Sequence, residues 1–283
     1  MMKRLLTLEY YKNLNYRPFQ IFSALYFLVL IALLCIGLVD LQLAEGFEIN
    51  LKEQGIYNFP EIWNFTTWIV ALLKIFLGLI IVFSICQEFT NRMFKQNTID
   101  GLSRGEFIKS KLLTIFAFTF LSTLLVFVIT LILGYTYSTS TETDLVYKEM
   151  FFIGNYFLKL FTFFCFLMFL SVLLRKSIFV FLFFFVYWVI ESIVGTVEAL
   201  MRMRGLNPNQ KMEMAQDSFF FSKIFPLESM SSLIPNPMVR LNMAKLIGFK
   251  YDFHYPTESL IACIVWCGLF IFGSYWILKK RDW

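Results

Sequence analysis

Seven residues between two long apolar runs could do chemistry together: Glu88, Asn97, Asp100, Gly101, Ser103, Arg104 and Glu106. They lie in one polar stretch, 87–111, which holds five Lys or Arg (Arg92, Lys95, Arg104, Lys109, Lys111) and three acids. Carboxylates, a guanidinium and turn-forming side chains at this density suit recognition rather than bond-making. Asp100-Gly101 marks a turn, and Ser103 with Glu106 three residues on has the spacing of a capping box. The stretch therefore predicts a helix end, a turn and a new helix. A polar helix-turn-helix hung between two membrane spans is placed to grip a soluble partner; the other reading is an ordinary loop held inside by its positive charge.

Catalytic patterns are missing elsewhere. The sequence contains no GxxxxGK[ST] with which to cradle nucleotide phosphates, no HExxH and no GxSxG. The single His254 sits beside a proline-containing segment and reads as an interfacial residue. Cys263 and Cys267 share a helix face, but no His or acid joins them, which argues against a metal site. The other cysteines, Cys35, Cys86 and Cys165, also fall within or at the ends of apolar segments.

Three charges fall inside the apolar runs. Lys74, Lys159 and Glu191 each lie some seven to nine residues from the expected outer membrane surface, ~10–13 Å deep at 1.5 Å per residue. A charge at mid-membrane costs ~2.5–3.5 kcal/mol on insertion scales, so such residues usually face the bundle interior and pair. The expected pair is Glu191 with Lys159, with Lys74 as the alternative partner. The competing reading has both lysines snorkelling to the outer headgroups.

The elements that must position these groups are set by composition. The chain is 58% hydrophobic and 16% charged, where an ordinary soluble domain is about a quarter charged. Its mean hydropathy is +0.67. The apolar residues gather in runs of about twenty, the length that crosses a bilayer. The expected fold class is an all-α polytopic membrane protein, a single transmembrane domain over 1–283. Its expected spans are 19–39, 65–86, 112–134, 151–174, 177–198 and 258–278. An amphipathic interfacial helix is expected over 1–17, a cytoplasmic loop over 87–111 and an extracytoplasmic lid over 199–257. Both termini are expected in the cytoplasm. On that topology the inner segments hold 14 Lys/Arg against 5 Asp/Glu, and the two short outer loops hold 2 against 8, as the positive-inside rule requires. The basic residues are sorted by membrane side and form no single patch, so nucleic acid is not an expected partner.

The polar stretch resembles the cytoplasmic loop between spans two and three of ABC-2 type transporter permeases. The residues that carry the resemblance are Glu88-Phe89, then Gly101-Leu102-Ser103-Arg104-Gly105-Glu106, with Lys111 opening the next span. The step at Met93 and Lys95 departs from the family's Thr-x-Arg-like pattern. The amphipathic start, the six spans, the long region before span six and the terminal Arg281-Asp282 resemble the family in layout. The resemblance implies the permease subunit of an exporter in the bacterial cytoplasmic membrane. It implies a second permease copy or paralogue and two copies of a separate ABC ATPase. ATP and Mg would sit on that partner, with no cofactor in this chain. It further implies that 96–106 is a coupling helix, that Glu88 and Arg104 hold the arm as one lever, and that the cargo is hydrophobic or amphipathic. Two other classes remain open, a non-transporting membrane subunit (immunity or assembly factor) and an intramembrane enzyme.

Overall fold

The computed structural model describes residues 7, 9, 11–12, 17–36, 41–44, 47–49, 55–99, 101–204, 221–237 and 255–280. In chain order the helices are α1 (Arg17–Leu34), α2 (Glu61–Ala71), α3 (Lys74–Thr90), α4 (Met93–Ile99), α5 (Arg104–Tyr137) and α6 (Thr143–Lys148). They continue with α7 (Phe151–Leu174), α8 (Ser177–Met203), α9 (Pro226–Ser232) and α10 (Thr257–Lys280), with one 3-10 turn at Phe221–Ile224. A two-stranded antiparallel hairpin, β1 (Leu41–Ala44) with β2 (Phe47–Ile49), follows α1.

Among the described residues four helical segments are long and apolar enough to cross a bilayer: α5, residues 143–174, α8 and α10. A fifth is formed if α2 and α3, which meet at a 42° bend, count as one crossing. The expected first span, 19–39, is represented by α1, which ends at Leu34. Its 18 residues reach ~27 Å, about half a turn short of the ~30 Å hydrocarbon core. The six expected spans are thus four or five by length. Thr7, Glu9, Tyr11 and Lys12 have helical backbone and Arg17 opens α1; the rest of the expected amphipathic helix lies outside the described residues, as do Asp100, His254, Arg281, Asp282 and much of 199–257.

Helix α7 is the hub. Phe152, Tyr156, Leu160, Phe163, Phe164, Leu167 and Met168 are all buried, because α10, α3 and α5 pack around it. Enclosure also keeps the polar residues that α7 carries, Asn155, Lys159 and Thr162, away from lipid. By contrast, the Phe-rich face of α8 (Phe179, Leu182, Phe183, Phe185) is exposed, as expected for a surface turned to lipid.

Close approach fixes the C-terminal end of α5. A Cβ on Gly134 would sit 2.3 Å from Phe59 Cζ and 2.7 Å from its Cε2. The Phe59 ring is itself held by Trp63 at 6.0 Å and Tyr135 at 5.7 Å between centroids, so it has little room to swing aside. Gly134→Val should therefore cost about 1–3 kcal/mol, the usual range for an overpacked core. A thermal midpoint in detergent equal to that of the wild type would contradict this.

Candidate functional site

The polar stretch folds into a short arm. Helix α3 ends at Thr90, Arg92 takes a left-handed φ of 56°, and α4 starts at Met93. Helix α4 closes with a Schellman motif: Leu102 N–H donates to Asn97 O at 2.9 Å and Gly101 N–H to Thr98 O at 3.2 Å. Gly101 has φ +92°, the conformation such a turn requires and glycine accepts at no steric cost. Ser103 then caps α5. Its Oγ accepts from Glu106 N–H at 3.2 Å, and Glu106 Oε2 accepts from Ser103 N–H at 2.8 Å. The capping box read from the sequence is therefore formed.

Three phenylalanines fasten the arm. Phe94, 3% exposed, lies 4.8 Å from Phe107 and 5.5 Å from Phe89, and Phe89 is 5.8 Å from Phe107, ring to ring. One ring comes from α3, one from α4 and one from α5, so movement of α4 must reach both long helices. Arg175, in the turn between α7 and α8, places its guanidinium 5.6 Å from the Phe89 ring. On the outer side of α4, Lys95, Gln96 and Ile99 face solvent, and Ile99 is 85% exposed.

The two charged residues expected to act as one lever serve different joints. Glu88, 1% exposed, pairs with Lys111 of α5 and with Lys12 of the N-terminal segment. Lys111 also donates to Glu9 Oε1 at 2.7 Å, and Ser110 Oγ to the same oxygen at 3.2 Å. The result is a buried four-charge clip between the N-terminal segment, α3 and α5. Burial alone would raise the Glu9 carboxyl, but the Lys111 and Lys12 ammoniums hold it below its ordinary value. Burial, then the neighbouring Lys111, pushes the Lys12 ammonium down. Arg104 instead reaches across to the end of α10: its Nη1 donates to Leu278 O at 3.0 Å and Lys279 O at 2.8 Å. The last carbonyls of a helix have no partner within it, and a cation there also meets the negative end of the dipole.

The intramembrane charges come together differently from the expected pairing. Lys74 opens α3 just after the bend and lies 4.9 Å from the Phe163 ring centroid. Lys159 is buried on α7. Among the described residues neither lysine forms an ion pair with Glu191. Glu191 Oε1 instead accepts from Glu228 N–H at 2.6 Å, at the start of α9. Helix starts present unpaired amides and a positive dipole end, so a carboxylate is satisfied there without an ammonium. Glu198, two turns further along α8, repeats the device by accepting from Phe221 N–H at 2.7 Å and Ser222 N–H at 2.8 Å. Phe221–Leu233, part of the expected lid, is thereby held along α8 and against α10, where Trp266 Nε1 donates to Ile224 O at 2.8 Å.

Sequence reasoning missed Phe94, Ile99, Glu9 and Lys12. A helical periodicity count across 93–99, which leaves Phe94 inside and Ile99 outside, could have flagged the first two.

A family model described as ABC-2 family transporter protein matches residues 5–191. That span takes in the N-terminal clip, the arm, the hub helix and Glu191. No curated protein matches the chain.

Proposed function

Because this chain belongs to the ABC-2 transporter family, we propose that it is the membrane subunit of an exporter in the bacterial cytoplasmic membrane. It moves a hydrophobic or amphipathic molecule, using ATP hydrolysed with Mg on two copies of a separate ABC ATPase. A second permease, a copy or a paralogue, completes the pathway. On this reading the short α1 and the bent α2–α3 pair also cross, giving six crossings with both termini inside and the 87–111 arm on the side where ATP is available.

The observation that supports this reading best is the arm itself. Helix α4 presents Lys95, Gln96 and Ile99 outward and anchors Phe94 inward between two spanning helices. An aliphatic side chain 85% exposed at the tip of a rigid polar arm fits a pocket on a soluble partner. When the ATPase pair closes on ATP, α4 is displaced. The phenylalanine contact carries that displacement to α3 and α5, a rigid-body switch between inward- and outward-facing states.

The test is affinity purification of the chain from its native membrane. The wild type should bring down an ATPase carrying a P-loop. Ile99→Asp should reduce its recovery about tenfold, an anchor worth more than 1 kcal/mol, with unchanged membrane insertion. Recovery of the chain without an ATPase would favour the non-transporting class. Unaltered recovery with Ile99→Asp would remove α4 as the docking element.

A further inference from the structure

The geometry points to a binding site for the ammonium group of an amphipathic amine, in a cleft of ≈ 410 Å³ between α8 and the Phe221–Glu228 segment. The inference rests on the transporter reading only in the step from binding to export. Glu191, Ser192 and Thr196 line the cleft from α8, and Lys223 and Glu228 line it from the opposite side.

Glu191 decides the chemistry. It is 7% exposed, and one carboxylate oxygen is used by the Glu228 amide. The other, Oε2, is buried and makes no hydrogen bond, although the Tyr187 hydroxyl and the Leu227 amide lie close to the carboxylate. A buried carboxylate oxygen without a donor costs free energy that a bound N–H would recover. The exposed Glu228 carboxylate adds further acceptors opposite Lys223 on the cleft wall, with the buried Lys74 and Lys159 ammoniums within electrostatic reach behind it. Thr196 Oγ1 donates to Ser192 O at 2.8 Å, which leaves its lone pairs to accept. The cleft wall thus offers hydrogen-bond acceptors in excess of donors, which a group with several N–H donors, such as R–NH₃⁺, would satisfy.

The site is built to last. Glu198 fastens Phe221 and Ser222, Glu191 fastens Glu228, and Trp266 fastens Ile224. Asn155 Nδ2 donates to Leu233 O at 3.0 Å at the far end of the segment. The surface next to the cleft is apolar. Trp188 lies three residues before Glu191 and four before Ser192, on the same helical face; it is exposed, with its ring 6.0 Å from that of Phe185. A ligand with its amine at Glu191 would lay a hydrocarbon tail along Trp188 and Phe185.

Two sources supply this chemistry: the headgroup of phosphatidylethanolamine, or a free cationic amphiphile. The experiment uses the full chain in nanodiscs of phosphatidylcholine and phosphatidylglycerol, with dodecylamine carrying a diazirine at the end of its tail. Neither ATPase nor transport is needed, so the result is independent of the transporter reading. Illumination should label α8 around Phe185 and Trp188. Glu191→Gln, whose amide oxygen can still cap α9, should lower that labelling at least tenfold. Glu228→Gln leaves the backbone cap untouched and should lower it as well. The diazirine dodecyl sulfate analogue should label this surface no more than the rest of the lipid-facing face. Adding phosphatidylethanolamine to the bilayer should suppress labelling if that lipid is the occupant, and leave it intact if a free amine is. Equal labelling of the wild type and both variants, or equal labelling by amine and sulfate, overturns the assignment.

Discussion

Lys111→Met should lower the thermal midpoint of the detergent-purified protein by about 10 °C. Lys111 is the joint of the buried clip, pairing with both Glu88 and Glu9. Its removal leaves two carboxylates, one of them 1% exposed, with only Lys12 between them. Breaking a buried pair by deleting one partner costs about 3–5 kcal/mol, because the remaining charge stays desolvated. In a chain of this size each kcal/mol is worth roughly 2–4 °C. The double change Glu88→Leu/Lys111→Met removes one charge of each sign and should recover most of the loss, since apolar replacement of a buried pair is often neutral. A single variant as stable as the wild type would show that the clip contributes nothing, and a double variant worse than the single would show that the loss is not the cost of an unpaired Glu88. The clip also has a functional consequence. It ties the N-terminal segment to α3 and α5, the same helices that the phenylalanine contact links to α4. A movement of the arm must therefore carry the N-terminal segment with it.

What could be read in the sequence was local. The Ser103–Glu106 box joins residues three positions apart and the Gly101 turn closes on Asn97 and Thr98; both follow from local chemistry within about one helical turn. The long apolar runs announced the spanning helices. The joints of the machine were not legible, because their partners lie far apart in the chain: Lys111 with Glu9 across 102 positions, Arg104 with Lys279 across 175. Charge arithmetic also misled at Glu191. An acid between two buried lysines looks like an ion pair, whereas the partner is a backbone amide, a donor that every residue but proline carries and no side chain advertises. The bend between α2 and α3 falls at Leu72 and Leu73, with neither proline nor glycine to signal it. Hydropathy counts apolar residues and is blind to such a break.

Arg104→Ala should uncouple transport from ATP hydrolysis while leaving ATPase recovery intact. The guanidinium bonds two terminal carbonyls of α10, and hydrogen bonds to a charged group are worth about 1.5–3 kcal/mol each. One of the two is solvent-exposed, so about 3 kcal/mol in total is the expected loss for this contact. Arg104 is the first residue of α5 and follows directly on the Ser103 cap, so it links the root of the arm to the last helix. A Cβ on Gly105 would make only an ordinary contact, 3.6 Å from Tyr275. Without the guanidinium, α10 is no longer carried by the arm, although Ile99 and the outer face of α4 remain in place. Cargo moved per ATP hydrolysed should fall at least tenfold in proteoliposomes, with ATPase activity persisting. Arg104→Lys, which keeps the charge but not the planar fork, should recover part of the ratio. Arg104→Glu should be worse than alanine, since its carboxylate would meet the negative end of the α10 dipole. If the ratio is unchanged in all three variants, the contact with α10 plays no part in coupling. If the ATPase is lost instead, Arg104 belongs to the docking surface and not to the linkage behind it.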